Sequence, residues 1–194
     1  MPAKQIQEFL RRYRATRARR AAILVSAACG VFFAALLGAM FYLRAAAADW
    51  PSPFHFPSLL MVFGLTIAGF AASATFEMGS RAAELPDKEP AIRWIAVGIA
   101  TWLTFLFLEV VEWVRLIWLV KLGPETTFGG TFLALTGAHA VVVACCVAWM
   151  TWAASDTRRR DILAPAILSH FLALVWLILV IALYLPNSDL EGLA

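Results

Sequence analysis

The pattern of apolar and polar positions divides the chain into five long apolar runs separated by short polar segments. About 20 apolar residues in a helix are enough to cross the hydrocarbon core of a bilayer. Lipid cannot satisfy free backbone groups, and no strand-like alternation is present, so the runs predict helices. The predicted spans are residues 21–43, 56–77, 91–119, 128–153 and 163–185. The fold class predicted from this pattern is an all-α, polytopic membrane bundle with five transmembrane helices.

The basic residues predict how these spans are oriented. Of the 16 Lys and Arg residues, 13 lie in the N-terminal arm and in the loops between spans two and three and between spans four and five. Basic loops stay in the cytoplasm. The N-terminus is therefore expected in the cytoplasm and the C-terminus outside, which requires an odd number of spans.

The two ends of the chain lie outside the predicted five-helix domain of residues 21–185. Residues 186–194 are a short outer tail, and residues 1–20 are a basic cytoplasmic arm. The arm is either unstructured or an interfacial helix with Ile6, Phe9, Leu10 and Tyr13 on its apolar face. Basic residues beside an apolar run favour lipid headgroups over nucleic acid. The predicted headgroup contacts are Arg11, Arg12, Arg14, Arg17, Arg19, Arg20, Arg158, Arg159 and Arg160.

Composition restricts the class of protein further. Hydrophobic residues make up 62% of the 194 residues and charged residues 15%, which disfavours a soluble globule. Cys29, Cys145 and Cys146 all lie inside apolar runs without a paired spacing, so we expect them to pack rather than to form disulfides or bind metal.

Small residues recur every four positions along several spans, a spacing that permits close contact between transmembrane helices. The residues predicted to pack in this way are Gly30, Ala34, Gly38, Gly64, Gly130 and Gly137.

Few ionisable residues lie inside the spans, and such residues are the first candidates for function. Glu109 and Glu112 share one face of span three, and Arg115 is placed to neutralise Glu112. Glu109 and His139 lie at matching depths, about 15 Å from the outer ends of their spans. Their spacing predicts a contact that is either a proton-handling pair or a structural clamp. Glu77 is expected to face headgroups or Arg81.

His139 and His170 are the histidines inside the predicted spans, and two histidines on different helices also permit a bis-histidine haem site. An intramembrane polar network is predicted from Glu109, Glu112, Arg115, His139 and His170. A polar pathway through broken helices, as expected for a transporter, is not apparent.

The stretch Phe128–Met150, FGGTFLALTGAHAVVVACCVAWM, resembles subunit III of the haem-copper oxidases. In that family an aromatic-Gly-Ser-x-Phe-Phe-x-Leu-Thr-Gly-x-His run opens the corresponding helix. Other segments resemble the family in the same order, and together they cover nearly all of residues 21–185. They are residues 57–76, the FLEVVEW of residues 107–113, and Ser169-His170-Phe171 with Val175-Trp176. The layout resembles the short five-helix form of bacterial quinol oxidases and of relatives associated with nitric oxide reductase.

The chain departs from the family pattern at several polar positions. Ala27 and Ala28 stand where the family often has a carboxylate, and Val142 replaces its second histidine in span four. Ser169 replaces an aromatic residue, and Ala173 replaces an acidic one.

The resemblance implies a non-catalytic accessory subunit in a multi-pass membrane location, the bacterial inner membrane. Such a subunit packs against subunit I and other subunits, supports assembly, stability and proton uptake, and contacts phospholipids. Haem and copper are expected only in the partner subunits, with no cofactor and no nucleic acid bound by this chain. The alternatives are a subunit associated with nitric oxide reductase, a stand-alone transporter and a membrane cytochrome.

Overall fold

The computed structural model describes residues 3–48, 50, 59–83, 85, 87, 89–119, 121–155 and 163–184. Every element in these residues is a helix. They are α1 (Ala3–Ala46), α2 (Leu59–Ala82), α3 (Glu89–Trp118), α4 (Thr127–Ser155), α5 (Leu163–Leu179) and a π-helical turn (Val180–Tyr184). Five helical segments are long and apolar enough to cross a membrane. The prediction of an all-helical membrane bundle with five spans is confirmed.

The helices differ from the predicted spans mainly at their ends. The segments able to cross a membrane are Thr16–Ala46, Leu60–Ala82, Glu89–Trp118, Thr127–Trp152 and Ala164–Tyr184. Helix α1 alone has 44 residues. At 1.5 Å per residue it is about 66 Å long, roughly twice the thickness of the hydrocarbon core.

The basic arm and span one therefore form one continuous helix from Ala3 to Ala46. The placement of the arm on the membrane surface stays a prediction, as does the orientation of the termini. Arg158, Arg159, Arg160 and the tail of residues 186–194 lie outside the described residues.

The most extensive contact between helices is that of α2 with α3. It depends on glycines that the small-residue pattern did not identify. A Cβ atom at Gly98 would lie 2.7 Å from the Phe76 ring and 2.8 Å from Thr75 Oγ1, so only glycine fits without a shift. On α2, a Cβ atom at Gly79 would lie 3.3 Å from Ile95 Cγ1, a less severe contact that a small shift of Ile95 would relieve.

Most of the glycines that the small-residue spacing predicted do not pack at this contact between α2 and α3. No described atom lies within 4 Å of a Cβ position at Gly38, Gly64 or Gly137, so the prediction is wrong for contacts within this chain. Ala34 is exposed. The spacing identified helix faces that carry small residues, but it did not show whether those faces point toward another helix of this chain or away from it.

Two of the predicted glycines do make close contacts. Gly30 packs against the Phe171 ring of α5, with 3.7 Å between the Cβ position and Cε2. Gly130 faces the preceding loop, where a Cβ would lie 3.0 Å from the Pro124 carbonyl oxygen. There Thr126 caps α4, its Oγ1 accepting the Gly129 N–H at 3.0 Å.

Helix α5 lies at the centre of the bundle and contacts α1, α2 and α4. Leu172, Trp176 and Leu179 are fully buried along it. The π-helical turn continues α5 and places Tyr184 against Phe132 and Trp176, with ring centroids 5.5 and 6.3 Å apart. The polar side chains discussed below surround this central helix.

Candidate functional site

The predicted intramembrane polar residues do not form one network. Glu109, Glu112 and His139 are buried, whereas His170 has about half of its side chain exposed. The structure places them in three separate environments, which are an ion pair on α3, a buried centre between α3, α4 and α5, and an edge between α2 and α5.

The ion pair joins Glu112 and Arg115, as their spacing predicted. Arg115 Nε donates to Glu112 Oε2 at 2.9 Å, and Arg115 Nη2 donates to Oε1 at 2.8 Å. This two-bond geometry is the strongest that a guanidinium and a carboxylate make. Because Glu112 is almost fully buried and Arg115 only partly, the pair brings a carboxylate into the bundle with its charge compensated.

Glu109 lies on the same helix but has no such partner. Its side chain is 2% exposed, and neither carboxyl oxygen has a hydrogen-bond partner among the described residues. Trp113, one turn further on, donates its indole N–H to Thr136 of α4 at 3.0 Å instead. Tyr184 on the π-helical turn lies within electrostatic range of Glu109, Glu112 and Arg115.

The predicted hydrogen bond between Glu109 and His139 is absent, so that prediction is wrong. His139 Nε2 donates to the Leu172 carbonyl oxygen of α5 at 3.1 Å, and His139 Nδ1 has no hydrogen-bond partner in the described part of the chain. The ring of Phe105, one turn before Glu109, faces the imidazole at 5.6 Å between centroids. Residue counting predicted equal depths for the two residues, but it could not predict the rotation of α3 about its axis. In the structure it is Phe105 of α3 that faces His139.

Three aromatic rings enclose His139. Phe33, Phe105 and Trp176 have ring centroids 6.2, 5.6 and 5.6 Å from the imidazole. These rings come from α1, α3 and α5, so His139 of α4 contacts every one of those helices. The hydrogen bond of His139 thus joins α4 to α5, while its ring packs against aromatic side chains of α1, α3 and α5.

The exposed edge links α2 to α5 through His170. Its Nδ1 shares a hydrogen bond with Ser73 Oγ, and its Nε2 lies 3.6 Å from Glu77 Oε2. Glu77 Oε1 in turn accepts the Arg81 Nε–H at 2.8 Å, which confirms the predicted contact between Glu77 and Arg81. Sequence reasoning missed Ser73. The four-residue spacing of Ser73, Glu77 and Arg81, which puts them on one face, is the signal that could have identified it.

Tryptophan side chains make further links that the sequence did not predict. Trp102 of α3 donates to Ser169 Oγ of α5 at 2.9 Å, and Trp176 of α5 donates to Thr66 Oγ1 of α2 at 3.2 Å. Trp102 and Ser169 are both fully buried. Ser169, which replaces an aromatic residue of the oxidase pattern, thus has a specific acceptor role here.

The two histidines face different neighbours and are not brought together. In the described part of the chain, no group of three His, Cys, Asp or Glu side chains is close enough to hold a metal ion. The described polar side chains mostly tie one helix to another.

Comparison with known proteins agrees with the sequence pattern. No protein-family model matches the chain. A 163-residue alignment covers 79% of this chain and 80% of a Mycobacterium leprae protein described as probable cytochrome c oxidase subunit 3, with 29% identity. Proteins of the same description from Mycobacterium bovis and Mycobacterium tuberculosis align over the same shares with 27% identity.

Proposed function

We propose that this chain, a divergent member of the cytochrome c oxidase subunit III family, is a non-catalytic accessory subunit of a haem-copper terminal oxidase. The observation that carries the proposal is the similarity to probable cytochrome c oxidase subunit 3 proteins over about four-fifths of both chains. Five helical segments long and apolar enough to cross a membrane are consistent with a multi-pass oxidase subunit.

The internal chemistry of the bundle supports a structural role. Hydrogen bonds from Trp102, Trp113, Trp176 and His139 each link two different helices. Interhelical hydrogen bonds of this kind hold transmembrane helices in register. A subunit with this construction offers its partners a bundle of fixed shape.

In the proposed complex the chain packs against subunit I, which holds the haem and copper, and supports assembly, stability and proton uptake. Phospholipids cover the remaining surface. The complex lies in the bacterial inner membrane, with the basic N-terminal end of α1 in the cytoplasm and the C-terminus outside.

Affinity purification of the tagged chain from its native membranes in a mild detergent tests the proposal. We expect subunit I to copurify, with a haem spectrum that follows subunit I. The chain purified alone is expected to lack a Soret band. Recovery of an isolated homo-oligomer, or a coloured chain without partners, would contradict the proposal, and a nitric oxide reductase as partner would redirect it.

The topology has its own test. Single cysteines placed at each terminus of a variant lacking Cys29, Cys145 and Cys146 are labelled from one side of intact cells with an impermeant maleimide. We expect only the C-terminal cysteine to react from outside. Labelling of both termini from one side would contradict five spans in this orientation.

A further inference from the structure

Most ion pairs in the described part of the chain join two side chains of the same helix. These pairs are Glu77 with Arg81, Glu89 with Arg93 and Glu112 with Arg115. Among the described residues, the carboxylate contact that crosses between helices is that of Glu77 on α2 with His170 on α5. The ionic link between helices therefore depends on a histidine.

The distance between Glu77 and His170 makes their attraction depend on the charge of the imidazole. Glu77 Oε2 lies 3.6 Å from His170 Nε2, which is too long for a hydrogen bond but within the range of an ion pair. A neutral imidazole gains little from the carboxylate, whereas an imidazolium is attracted to it. Histidine is the side chain whose charge ordinarily changes between about pH 5 and pH 8.

Ser73 makes a second contact that changes with the charge of His170. Ser73 is buried, and its Oγ is hydrogen-bonded to His170 Nδ1. A neutral imidazole with its proton on Nε2, toward Glu77, accepts the Ser73 O–H at Nδ1. An imidazolium has no acceptor nitrogen, so its Nδ1–H donates to Ser73 Oγ and the hydroxyl proton turns elsewhere. Because the donor is then charged, this hydrogen bond becomes stronger.

Helix α2 supplies the acceptor that the reversed hydrogen bond requires. A serine hydroxyl inside a helix can donate to a backbone carbonyl three or four residues earlier. Two threonines of α2 already do so, Thr66 to the Val62 carbonyl and Thr75 to the Ala72 carbonyl, both at 2.7 Å. Ser73 can therefore accept a proton from His170 without leaving its own hydroxyl proton unpaired.

The charged group next to this contact leaves it available. Arg81 Nε donates to Glu77 Oε1 at 2.8 Å, whereas Oε2 is the oxygen that faces His170. Arg81 lies in the last turn of α2, and Glu77 lies one turn deeper. His170 is seven residues from the start of α5, about 10 Å along the helix. Protons from the headgroup region at this end of the bundle therefore have access to the half-exposed imidazole.

The other helices near His170 bring few titratable groups to this level. Helix α1 meets α5 where Gly30 contacts the Phe171 ring, and the neighbouring Cys29 is a free thiol. Thiols ordinarily ionise at higher pH than histidine. Helix α3 contributes Trp102, which does not titrate.

Helix α4 contributes His139, whose response to acid has the opposite sign. His139 is fully buried among three aromatic rings, and its Nε2 donates to the Leu172 carbonyl oxygen. A positive charge placed there has no carboxylate partner among the described residues and would cost stability. A gain of stability in acid therefore identifies His170 rather than His139.

We propose that His170 is a pH-sensitive switch for the contact between α2 and α5. When the imidazole is protonated, it pairs with Glu77 and donates to Ser73, and α5 is held more firmly to α2. When it is neutral, the Ser73 hydrogen bond remains and the attraction to Glu77 is lost. The stability contributed by this contact is therefore present at low pH and lost as pH rises. The inference concerns the fold of the chain and does not rest on the proposed function.

Nitrogen NMR of the histidine-labelled full chain in detergent tests the charge and the direction of the hydrogen bond. The His170 signals are assigned by their loss in His170→Gln. We expect a neutral ring with its proton on Nε2 at about pH 8, and a ring protonated on both nitrogens at about pH 5.5. A ring that stays neutral over this range, or that carries its proton on Nδ1 at the higher pH, would overturn the inference.

A double-mutant cycle measures the link between the helices. The equilibrium constant for unfolding in detergent is measured at both pH values for the parent chain, Glu77→Gln, His170→Gln and the double variant. We expect little coupling between the two side chains at about pH 8. At about pH 5.5 the coupling should stabilise the folded chain about threefold.

Glu89 and Arg93 are the matched control, because they form an exposed ion pair without a histidine. A cycle with Glu89→Gln and Arg93→Gln should give the same coupling at both pH values. Coupling between Glu77 and His170 that does not change with pH, or that changes no more than in the control pair, would refute the switch. Copurification with an oxidase is a separate measurement, so failure of the switch and failure of the proposed function are distinguishable.

Discussion

Two polar regions of the bundle differ in how fully their side chains are hydrogen-bonded. The buried centre, formed by Glu109 and His139, contains three polar atoms that find no hydrogen-bond partner within the residues that the structure describes. The exposed edge, formed by Ser73, Glu77 and His170, has a partner for each of its side chains. Each region links α5 to another helix.

The difference shows where packing, rather than polar pairing, fixes the helices. At the exposed edge Ser73 is buried, but His170 and Glu77 are about half and one-third exposed, so the pairing of these two side chains contributes little energy. In the buried centre the polar atoms have only the protein as a neighbour. The rings of Phe33, Phe105 and Trp176 hold His139 in place, and the unpaired carboxyl group of Glu109 is a cost to stability.

The largest expected effect comes from His139→Ala. The substitution removes the hydrogen bond to the Leu172 carbonyl and leaves a cavity among three aromatic rings. We expect the free energy of unfolding to fall by roughly 2–4 kcal/mol. Denaturation of the purified chain in detergent, followed by helix content, measures it. His170→Ala is the control from the exposed edge, and an equal loss in the two variants would break the comparison.

Glu112→Met tests whether the paired carboxylate of α3 is stabilising where it is. The substitution keeps most of the side-chain volume but leaves the partly buried Arg115 guanidinium without its two hydrogen bonds. Because Arg115 is 29% exposed and can still reach solvent, the expected loss is about 1–3 kcal/mol. The double variant Glu112→Met with Arg115→Met should recover most of that loss. No recovery would show that the carboxylate acts independently of Arg115.

Glu109→Met is the matched change at the neighbouring carboxylate, and its expected sign is opposite. Glu109 gives up no hydrogen bond, since neither oxygen has a partner. Replacing it by an apolar side chain of similar volume removes a desolvated polar group and should stabilise the isolated chain by about 1 kcal/mol. Glu109→Ala is expected to destabilise through the cavity that it leaves. A loss of stability in Glu109→Met would reveal a partner for this carboxyl group.

Much of the fold could be predicted because membrane spans are a matter of composition and length. The five apolar runs identified the helices directly, and the three-residue spacing of Glu112 and Arg115 identified their ion pair. A helix in the basic arm was one of two predicted alternatives, but its continuity with span one from Ala3 to Ala46 was not predicted, because hydropathy does not report on a charged segment that stays helical.

The contacts between helices could not be predicted in the same way. Counting residues gave Glu109 and His139 equal depths along their spans, but it did not give the rotation of α3, which turns Phe105 toward His139. Likewise, small-residue spacing identified Gly38 and Gly64 but missed Gly98, which is adjacent to Phe76 of another helix. Rotation about the helix axis is set by all neighbours at once, and a single span does not encode it.

Ser73→Ala at the exposed edge is expected to have the smallest effect. The substitution removes the hydrogen bond between Ser73 and His170 but changes little volume, and His170 keeps its contact with Glu77 at 3.6 Å. Interhelical hydrogen bonds in membranes average about 0.6 kcal/mol, and the half-exposed imidazole can turn to another partner, so the loss should stay below about 1 kcal/mol.

Ser169→Ala is the matched control, because the same hydroxyl is removed where Trp102 has no solvent to replace it. A loss of about 1–3 kcal/mol is expected there. Detergent denaturation of both variants under one set of conditions makes the comparison. Both serines are buried, so the comparison isolates their partners, of which His170 is half exposed and Trp102 is buried. If Ser73→Ala cost as much as Ser169→Ala, the exposure of the partner would not decide the cost of losing the hydroxyl.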